Sequence, residues 1–379
     1  MGSSLNFSEK RGMGRRMTNS QEKKERVSQK EFVCFIFGLF FLFTIFSGCG
    51  GKSTGRAYIS MGATHQIIEL DLSSNRIIRR FEGGYNPHGL AITPDGLFLY
   101  ATSTKESPKE MKHSPMSGRG EHDHGDEPVR GKDTPRDNET GNVVMVETSN
   151  GKVVAQINVG AGTHHGVVTP DGRFAVFSVP SQGGIAVVST STQQVIHNIK
   201  TGAVSNYVLA TKDGKDLYVS NTGDGTVTSI NTQTWLVRKQ IKVGKGPGHL
   251  VESPDGHLVY VVNAFDETVS LIERRLEKEI SVFKVGANPH GIDVHPSGKT
   301  VFVANQNDNT VTLYDTHTQQ TKTWTVGESP YHLSVDPNNK RVFVGSRSLG
   351  KIWILNAWSG KIQGEIETGP VPHQMVFKK

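Results

Sequence analysis

Short runs of Val, Ile and other apolar residues alternate along the chain with clusters of Gly, Pro, Asn and Asp. The stretch from Gly286 to Gly327, GANPHGIDVHPSGKTVFVANQNDNTVTLYDTHTQQTKTWTVG, shows the pattern in full. Short runs with apolar residues at alternate positions, bounded by turn residues, predict β-strands. We therefore predict four strands in this stretch, GIDVH, TVFVAN, TVTLYD and TKTWTV, which we call a, b, c and d.

The same four-strand pattern returns with a fixed period. Landmark glycines from Gly160 onward lie 42, 42, 42, 41 and 42 residues apart, whereas the first interval is 76 residues, one repeat plus an insertion. A period of this size that holds four short strands is typical of a β-propeller blade. The landmark glycines are Gly84, Gly160, Gly202, Gly244, Gly286, Gly327 and Gly369.

Six complete repeats run from Gly84 to Thr368, and the two ends of the region supply a seventh. RAYIS, QIIELDL and RIIRRFEG at the beginning match strands b, c and d, and PVPHQMVF at the end matches a lone strand a. Joining the first and last strands in one blade closes the ring and removes open sheet edges. We predict an all-β fold for residues 57–379, a seven-bladed β-propeller with four-stranded antiparallel blades.

Strand b of several repeats carries a recurrent sequence, DLYVSN at 216–221, LVYVVN at 258–263 and TVFVAN at 300–305. With the preceding Pro-x-Gly and Pro-Asp-Gly turns, this unit resembles the YVTN family of seven-bladed β-propellers. The resemblance implies the fold and leaves the function open, because one fold hosts many functions. Relatives of this shape include exported proteins of unknown role, lactone-hydrolysing enzymes, the haem-binding propellers of nitrite reductases and the copper-cluster propeller of nitrous oxide reductase.

Histidine recurs four or five residues after the landmark glycine, as in the NPHG segments at 86–89 and 288–291. The connection from strand d to strand a lies on one rim of a propeller beside the central channel, so these residues should form a ring around the axis. If the backbone is already extended there, positions four and five point to opposite faces and divide the ring into two sets. The sets are His88, His164, His290 and His373 at position four, and His165, His249 and His332 at position five.

Neutral imidazoles that face one another can bind copper, zinc, iron or nickel, and the ring is similar in style to the histidine-lined copper site of nitrous oxide reductase. The alternative is structural: each copied histidine orders a turn through an imidazole–backbone hydrogen bond. An insertion at 103–141, between strands b and c of the first complete blade, favours the metal, because thioether and imidazole groups together suit copper. Its candidate ligands, with one further rim histidine, are Met111, His113, Met116, His122, His124 and His65.

The N-terminal region predicts export. A basic, polar stretch precedes the apolar run Phe32–Gly48, and FSGC at 46–49 resembles the bacterial lipobox, whose cysteine becomes the lipidated first residue. We predict a lipoprotein signal peptide at 1–48, lipidation at Cys49 and a flexible tether at 49–56. The alternative is an uncleaved membrane anchor. Both place the propeller outside the cytoplasm at a membrane, in the periplasm or on the cell surface.

Charge and cysteine content argue against two classes of protein. Residues 1–48 hold eight Lys or Arg and four Asp or Glu, so this segment carries most of the formal charge of +6. The repeats lack a recurrent basic run, which argues against nucleic-acid binding. The only two cysteines, Cys34 and Cys49, precede the repeats, so the propeller has neither a disulfide framework nor a cysteine zinc site.

We expect an exported, membrane-tethered, monomeric propeller that binds a transition metal, with copper favoured, for metal handling or as a redox-partner module. The first alternative is a non-catalytic scaffold whose rim binds a protein or haem-protein partner. A further alternative is a lactonase-type hydrolase, which would use carboxylates with a hard cation or a general base. None of the 14 rim positions holds an acidic residue, so the sequence favours binding over catalysis.

Overall fold

The computed structural model describes residues 55–103, 141–160, 162–338 and 340–378. These residues form seven four-stranded antiparallel sheets. The predicted all-β, seven-bladed propeller is therefore confirmed. Within the described ranges, no helix has both the length and the apolar character that crossing a membrane requires. The predicted signal peptide, Cys49 and nearly all of the tether and insertion lie outside these ranges.

The strands follow one another in fours around the ring. Blade 1 contains the fourth to seventh strands, blades 2 to 6 follow in the same way, and blade 7 combines the last strand with the first three. Single 3₁₀ turns at Gly62–Thr64 and Pro180–Gln182 follow strand b in blades 7 and 2. In chain order the strands are β1 (Arg56–Met61), β2 (Gln66–Asp71), β3 (Arg76–Glu82), β4 (Pro87–Ile92), β5 (Phe98–Ser103), β6 (Gly141–Glu147), β7 (Val153–Gly160), β8 (Gly166–Val168), β9 (Phe174–Val179), β10 (Gly184–Ser189), β11 (Gln194–Lys200), β12 (Ser205–Ala210), β13 (Asp216–Asn221), β14 (Thr226–Asn231), β15 (Val237–Lys242), β16 (Pro247–Glu252), β17 (Leu258–Asn263), β18 (Thr268–Glu273), β19 (Lys278–Lys284), β20 (Pro289–Val294), β21 (Thr300–Asn305), β22 (Thr310–Asp315), β23 (Thr321–Thr325), β24 (Pro330–Val335), β25 (Arg341–Ser346), β26 (Lys351–Asn356), β27 (Ile362–Glu367) and β28 (Pro372–Lys378).

The closing blade joins the two ends of the propeller as the sequence predicts. Strand β28 pairs with β1 in antiparallel register, with Ala57 opposite Phe377 and Tyr58 opposite Val376. The first strand of every blade also contacts the first strand of the next blade, all the way around the ring. These seven strands therefore enclose the central channel, and their side chains determine what lines it.

The hydrophobic core lies between the blades. Strands b and c are buried on both faces, because each sheet packs against the sheets of the next and previous blades; β13, for example, is buried at all its positions. Outer strands are exposed, as in β15. Between blades 5 and 6, Phe302 and Trp324 pack with Leu333 and Trp353 in one cluster. Burial on two faces explains why strands b and c read as nearly continuous apolar runs.

Each connection from strand d to strand a contains a left-handed residue two positions after the landmark glycine. This position has a positive φ in all seven blades, with values from 45° at Asn86 to 66° at Gly162. Gly, Asn and Ser occupy it in five blades, whereas the β-branched residues Val204 and Val371 occupy it in the other two. Because a β-branched residue is strained in this conformation, the connections that contain Val204 and Val371 destabilise the folded state more than the other five.

Strand a begins with a β-bulge in six of the seven blades. In blade 5, Pro289 pairs with Asn305 and Ile292 pairs with Val303, so three steps along β20 correspond to two steps along β21. The extra residue falls within the Pro-His-Gly segment and interrupts the alternation of side chains at that point. Strand a therefore starts two residues earlier than GIDVH, the sequence predicted for it.

We predict that the left-handed position tunes stability. Asn288→Val should lower the free energy of unfolding by about 1–2 kcal/mol, because a left-handed conformation costs an L-residue with a Cβ branch about that much. Val371→Asn should raise it by about 1 kcal/mol, since Asn adopts this conformation more readily. Urea unfolding followed by tryptophan fluorescence measures both changes.

Asn288→Gly is the matched control. It keeps the left-handed conformation but removes the hydrogen bond from Asn288 Nδ2 to Gln306 Oε1, which is 3.0 Å long. The difference between the Val and Gly variants therefore isolates the backbone strain. Equal stabilities of these two variants would contradict the prediction.

Candidate active site

The seven rim histidines lie together in one group at the channel. The ring centroids of His88 and His373 are 3.6 Å apart, and those of His88 and His164 are 4.0 Å apart. On the other side, His249 lies 4.3 Å from His290 and His332 lies 4.2 Å from His373. We call this group the histidine cluster; its members are His88, His164, His165, His249, His290, His332 and His373.

The division into two sets on opposite faces is wrong. His88, at position four, lies 4.8 Å from His165, at position five of the next blade, and His332 and His373 mix the two positions in the same way. In the bulged blades the extra residue at the start of strand a interrupts the alternation of side chains at these positions. In blade 2, His164 and His165 precede β8, so strand alternation does not apply to them. Three triplets in the cluster have potential ligand atoms within 4.8 Å of one another.

The glycine of the Pro-His-Gly segment lets neighbouring strands approach closely. A Cβ atom at Gly89 would lie 2.7 Å from the carbonyl oxygen of His164, and one at Gly291 would lie 2.6 Å from that of Tyr331. Both distances are shorter than real Cβ contacts, so only glycine fits. The next blade places His165 beside Gly89 and His332 beside Gly291. Glycine in one blade thus makes room for a position-five histidine in the next.

Hydroxyl groups on strand b hold the backbone of the cluster. Thr102 Oγ1 accepts a hydrogen bond from Gly89 N at 2.7 Å in its own blade and donates to His164 O in the next blade at 2.6 Å. Ser60 Oγ donates to His88 O at 2.7 Å in the same manner, and Ser178 Oγ accepts from His165 N at 3.0 Å. These bonds satisfy backbone groups near the start of strand a that do not pair in the β-ladder.

Three imidazoles in the cluster have hydrogen bonds at Nδ1. His164 Nδ1 lies 3.3 Å from the carbonyl oxygen of Asn206. His249 Nδ1 lies 3.0 Å from the carbonyl oxygen of His290, and His165 Nδ1 lies 3.2 Å from Gln374 Oε1. The amide of Gln374 is fixed because Leu90 N donates to the same Oε1 at 2.9 Å. Both oxygens only accept, so Nδ1 of His249 and of His165 donates; because the pKa of His165 is lowered, its ring is in the Nδ1–H tautomer.

Burial keeps four imidazoles of the cluster neutral. Desolvation holds the pKa of His165, His290, His332 and His373 well below the usual range, and the neighbouring imidazoles lower these pKa values further. The Arg347 guanidinium also contributes to the low pKa of His290 and His332. Neutral imidazoles can accept a proton or donate a lone pair at neutral pH.

Arg347 is a site residue that the sequence analysis missed. Its guanidinium lies 5.0 Å from the Tyr331 ring centroid, and that ring stacks on His290 at 3.7 Å. Arg347 is the first residue after β25, at the start of the b-to-c connection of blade 6. That connection lies on the same rim as the histidines, so the position of Arg347 in its repeat could have indicated that it belongs to the site. Within the described residues, no ion pair involves Arg347.

Asp293 is a second residue that the sequence does not single out, because it lies outside positions four and five of its repeat. It belongs to the innermost strand β20, and its carboxylate accepts hydrogen bonds from Val294 N and Val335 N, both at 2.8 Å. Burial raises the pKa of Asp293 to about 6. Burial and then the Asp293 charge raise the pKa of Tyr207 to about 12, which indicates that the two side chains lie within electrostatic reach of each other.

Of the predicted accessory metal ligands, only His65 lies within the described residues. His65 accepts a hydrogen bond from Asn86 N at Nδ1, 3.0 Å away, and stacks on Tyr85 at 4.7 Å. It belongs to none of the three triplets among the described residues. Its role is thus local to the turn before β4. The five remaining candidates lie outside the described residues: Met111, His113, Met116, His122 and His124.

Comparison with protein families gives a match over most of the repeats. A family model described as "Lactonase, 7-bladed beta-propeller" matches residues 76–375. No curated protein matches the chain.

Solved structures match most or all of the propeller. The periplasmic gluconolactonase of Pseudomonas aeruginosa is 16% identical with a TM-score of 0.66, and the match covers 85% of this chain and 98% of that one. A candidate 6-phosphogluconolactonase from Bacteroides fragilis is 16% identical with a TM-score of 0.67, covering 87% and 99%. Hydrazine synthase of Kuenenia stuttgartiensis is 18% identical with a TM-score of 0.60, covering 75% and 87%. At such identities the likeness shows the fold alone.

The family match corrects the predicted function. The expectation of a copper-binding module for metal handling or redox partnership is wrong, because the matching family is one of lactonases. The lactonase-type hydrolase, which was the further alternative, fits the match. The objection to it was that no rim position holds an acid, but the structure supplies a set of neutral imidazoles that can take the place of a carboxylate as base.

We predict that the cluster makes folding stability strongly dependent on pH. The imidazoles of His165, His290, His332 and His373 stay neutral when folded, whereas in the unfolded chain they are protonated below about pH 6.5. The unfolded chain then binds more protons, so stability is complete above pH 6.5 and is lost as the pH falls. Each imidazole contributes up to about 1.4 kcal/mol per pH unit. Urea unfolding at pH 7.5, 6.5 and 5.5 measures the slope.

Two comparisons test the source of this slope. His332→Gln should lower the slope of unfolding free energy against pH by up to about 1.4 kcal/mol per pH unit, the contribution of one proton. His317→Gln, in an exposed turn outside the cluster, should leave the slope unchanged. Asp293 acts in the opposite direction, because its pKa is raised to about 6 and the folded chain binds a proton there as the pH falls. This single proton can offset the loss of stability from one imidazole at most. Stability that does not change between pH 7.5 and 5.5 would show that the imidazoles are not buried in neutral form.

Proposed function

The chain belongs to the lactonase family of seven-bladed β-propellers, and on that premise we propose that it opens a lactone ring by hydrolysis at the histidine cluster. The observation that supports this site most directly is the placement of the Arg347 guanidinium over the Tyr331 ring, which in turn stacks on the neutral imidazole of His290. Hydrolysis of an ester needs a base for the attacking water and a positive or hydrogen-bonding group for the developing oxyanion. Both are present here.

His290 is the residue that we assign as general base. It is partly exposed, whereas His165, His249 and His332 are buried, and its ring stacks between the cluster and Tyr331. Its low pKa keeps the imidazole neutral, so it can accept a proton from water while the water oxygen adds to the lactone carbonyl carbon. The tetrahedral intermediate then breaks the ring C–O bond, and the leaving alkoxide takes that proton back. The product is the hydroxy acid.

Arg347 is the residue that we assign to charge stabilisation. The developing oxyanion and the product carboxylate are both negative, and a guanidinium binds such groups with charge-assisted hydrogen bonds. The stacking of Arg347 on Tyr331 and of Tyr331 on His290 keeps the cation and the base beside each other. The same cation disfavours protonation of His290, which helps to keep the base active.

We further propose that the propeller acts outside the cytoplasm, tethered through Cys49, and that its repeats are of the YVTN type. The apolar run Phe32–Gly48 followed by Cys49 supports export, and the fold is shared with a periplasmic enzyme. Cys49→Ala should release the chain from the membrane fraction into the soluble extracytoplasmic fraction. Retention of this variant in the membrane would favour the uncleaved anchor instead.

We predict lactone hydrolysis by the purified propeller. An aryl lactone and a sugar-acid lactone should both be tested, with acid release followed at constant pH. His290→Gln should lower kcat by about 10²–10⁴-fold, the usual contribution of a general base. Arg347→Ala should lower kcat/KM by about 10²–10³-fold, as the loss of an oxyanion donor does, and Arg347→Lys should restore part of it.

The control variant for the activity assay is His317→Gln, which changes a histidine outside the cluster. It should retain the kcat and KM of the unchanged protein. Absence of turnover on every lactone, or equal rates in the unchanged protein and His290→Gln, would refute the proposed function.

A further inference from the structure

We propose that His165, His249 and His332 form a zinc site of three imidazoles inside the histidine cluster. The role of the ion rests on the proposed hydrolysis, but its binding does not. The proposed zinc is a permanently bound ion of a hydrolase. It is not a copper ion bound for metal handling, the function that the family match contradicts. A set of three neutral imidazoles without a thiolate is a ligand set of catalytic zinc, which keeps a fourth position open.

These three histidines are all buried members of the cluster. His165, His249 and His332 have 0%, 4% and 7% of their surface exposed, and all three occupy position five in their blades. Their ligand atoms lie within 4.8 Å of one another. A tetrahedral zinc ion with Zn–N distances of about 2.0–2.1 Å needs nitrogens about 3.4 Å apart. Wherever the separation exceeds this value, zinc binding requires the nitrogens to move closer together.

The ring orientations suit ligation through Nε2. The carbonyl oxygen of His290 and the amide oxygen of Gln374 hold Nδ1–H of His249 and His165, which leaves Nε2 as the ligand atom of each ring. Metal-ligating histidines are oriented in this way by a carbonyl or carboxylate at the other nitrogen. Gln374 is therefore a positioning residue for His165, and its own orientation is fixed by Leu90 N.

The buried nitrogens also indicate a ligand. Within the described part of the chain, Nε2 of His165 and of His332 has no hydrogen-bond partner although neither atom is exposed. A buried polar atom left without a partner costs about 1–3 kcal/mol. Coordination to one ion would remove this cost at both atoms together.

The position-four histidines surround this triplet and could serve its chemistry. His249 contacts His290 at 4.3 Å, and His332 contacts His373 at 4.2 Å, so neutral imidazoles lie beside the ligands. Zinc lowers the pKa of a bound water to about 7. With water as nucleophile, its proton passes to His290, its oxygen bonds to the lactone carbonyl carbon, and the ring oxygen leaves with that proton.

Zinc binding to the full chain, produced without a histidine tag and stripped with a chelator, tests the site. We expect one Zn²⁺ per chain in a competition titration against a chromogenic chelator. His165→Gln and His332→Gln should each weaken binding by about 100-fold or more, and Gln374→Leu by about 10–100-fold, the usual effect of an outer-shell partner. His295→Gln and His317→Gln, outside the cluster, should bind as the unchanged chain does.

Cobalt substitution provides a second measurement that needs no variant. One Co²⁺ in a tetrahedral site of three imidazoles and a water should give intense visible absorption, and added Zn²⁺ should abolish it. Affinity that is the same in the unchanged chain and in His165→Gln would overturn the site. So would a larger loss of affinity in His88→Gln than in His332→Gln, which would place the ion in another triplet.

The lactone assay separates this inference from the proposed function. Hydrolysis that persists at full rate in the zinc-free chain leaves the proposed function standing and overturns the role of the ion. One zinc per chain without any lactone turnover supports the site and refutes the proposed function. Rate recovery on adding one equivalent of Zn²⁺ to the stripped chain supports both.

Discussion

The close approach of seven innermost strands around one channel is the constraint on which the site depends. Where two of these strands meet, a side chain on the first would collide with the backbone of the second, as a Cβ atom at Gly89 or Gly291 would do. Glycine at these two positions leaves space that the next blade fills with an imidazole. In the bulged blades the extra residue at the start of strand a also interrupts the alternation of side chains there. The packing of the innermost strands therefore accounts for the position of the histidine cluster without reference to its chemistry.

A cluster of this kind is costly for the folded state. Burying imidazoles against one another prevents their protonation, and buried nitrogens without partners lose the hydrogen bonds that water would supply. The interblade hydrophobic clusters and the hydrogen bonds from Ser60, Thr102 and Ser178 hold the backbone in place despite this cost. Sites of this type, in which several local rules are broken together, are where function is expected.

The sequence predicts most of the fold and only part of the site. A fixed period of about 42 residues determines the blade, and the matching of PVPHQMVF with the first strands determines the closure, because both depend on local pattern. In the bulged blades, the interruption of side-chain alternation at the histidines is a property of the pairing between two strands and leaves no local signature. Asp293 and Gln374 acquire their roles from neighbours on other blades, Val335 and His165, so their importance could not be read from their own repeats. The low pKa values follow from burial, which only the assembled channel provides.

The closing strand β28 gives the site an unusual dependence on the order of synthesis. It is the last of the described strands to emerge from the ribosome, and it supplies His373 and Gln374, while its partner β1 is the first. Six blades can be in place while the cluster still lacks one imidazole and the amide that orients His165. The chain therefore couples completion of the ring to completion of the site, so that a ribosome-bound or truncated product cannot present the assembled cluster.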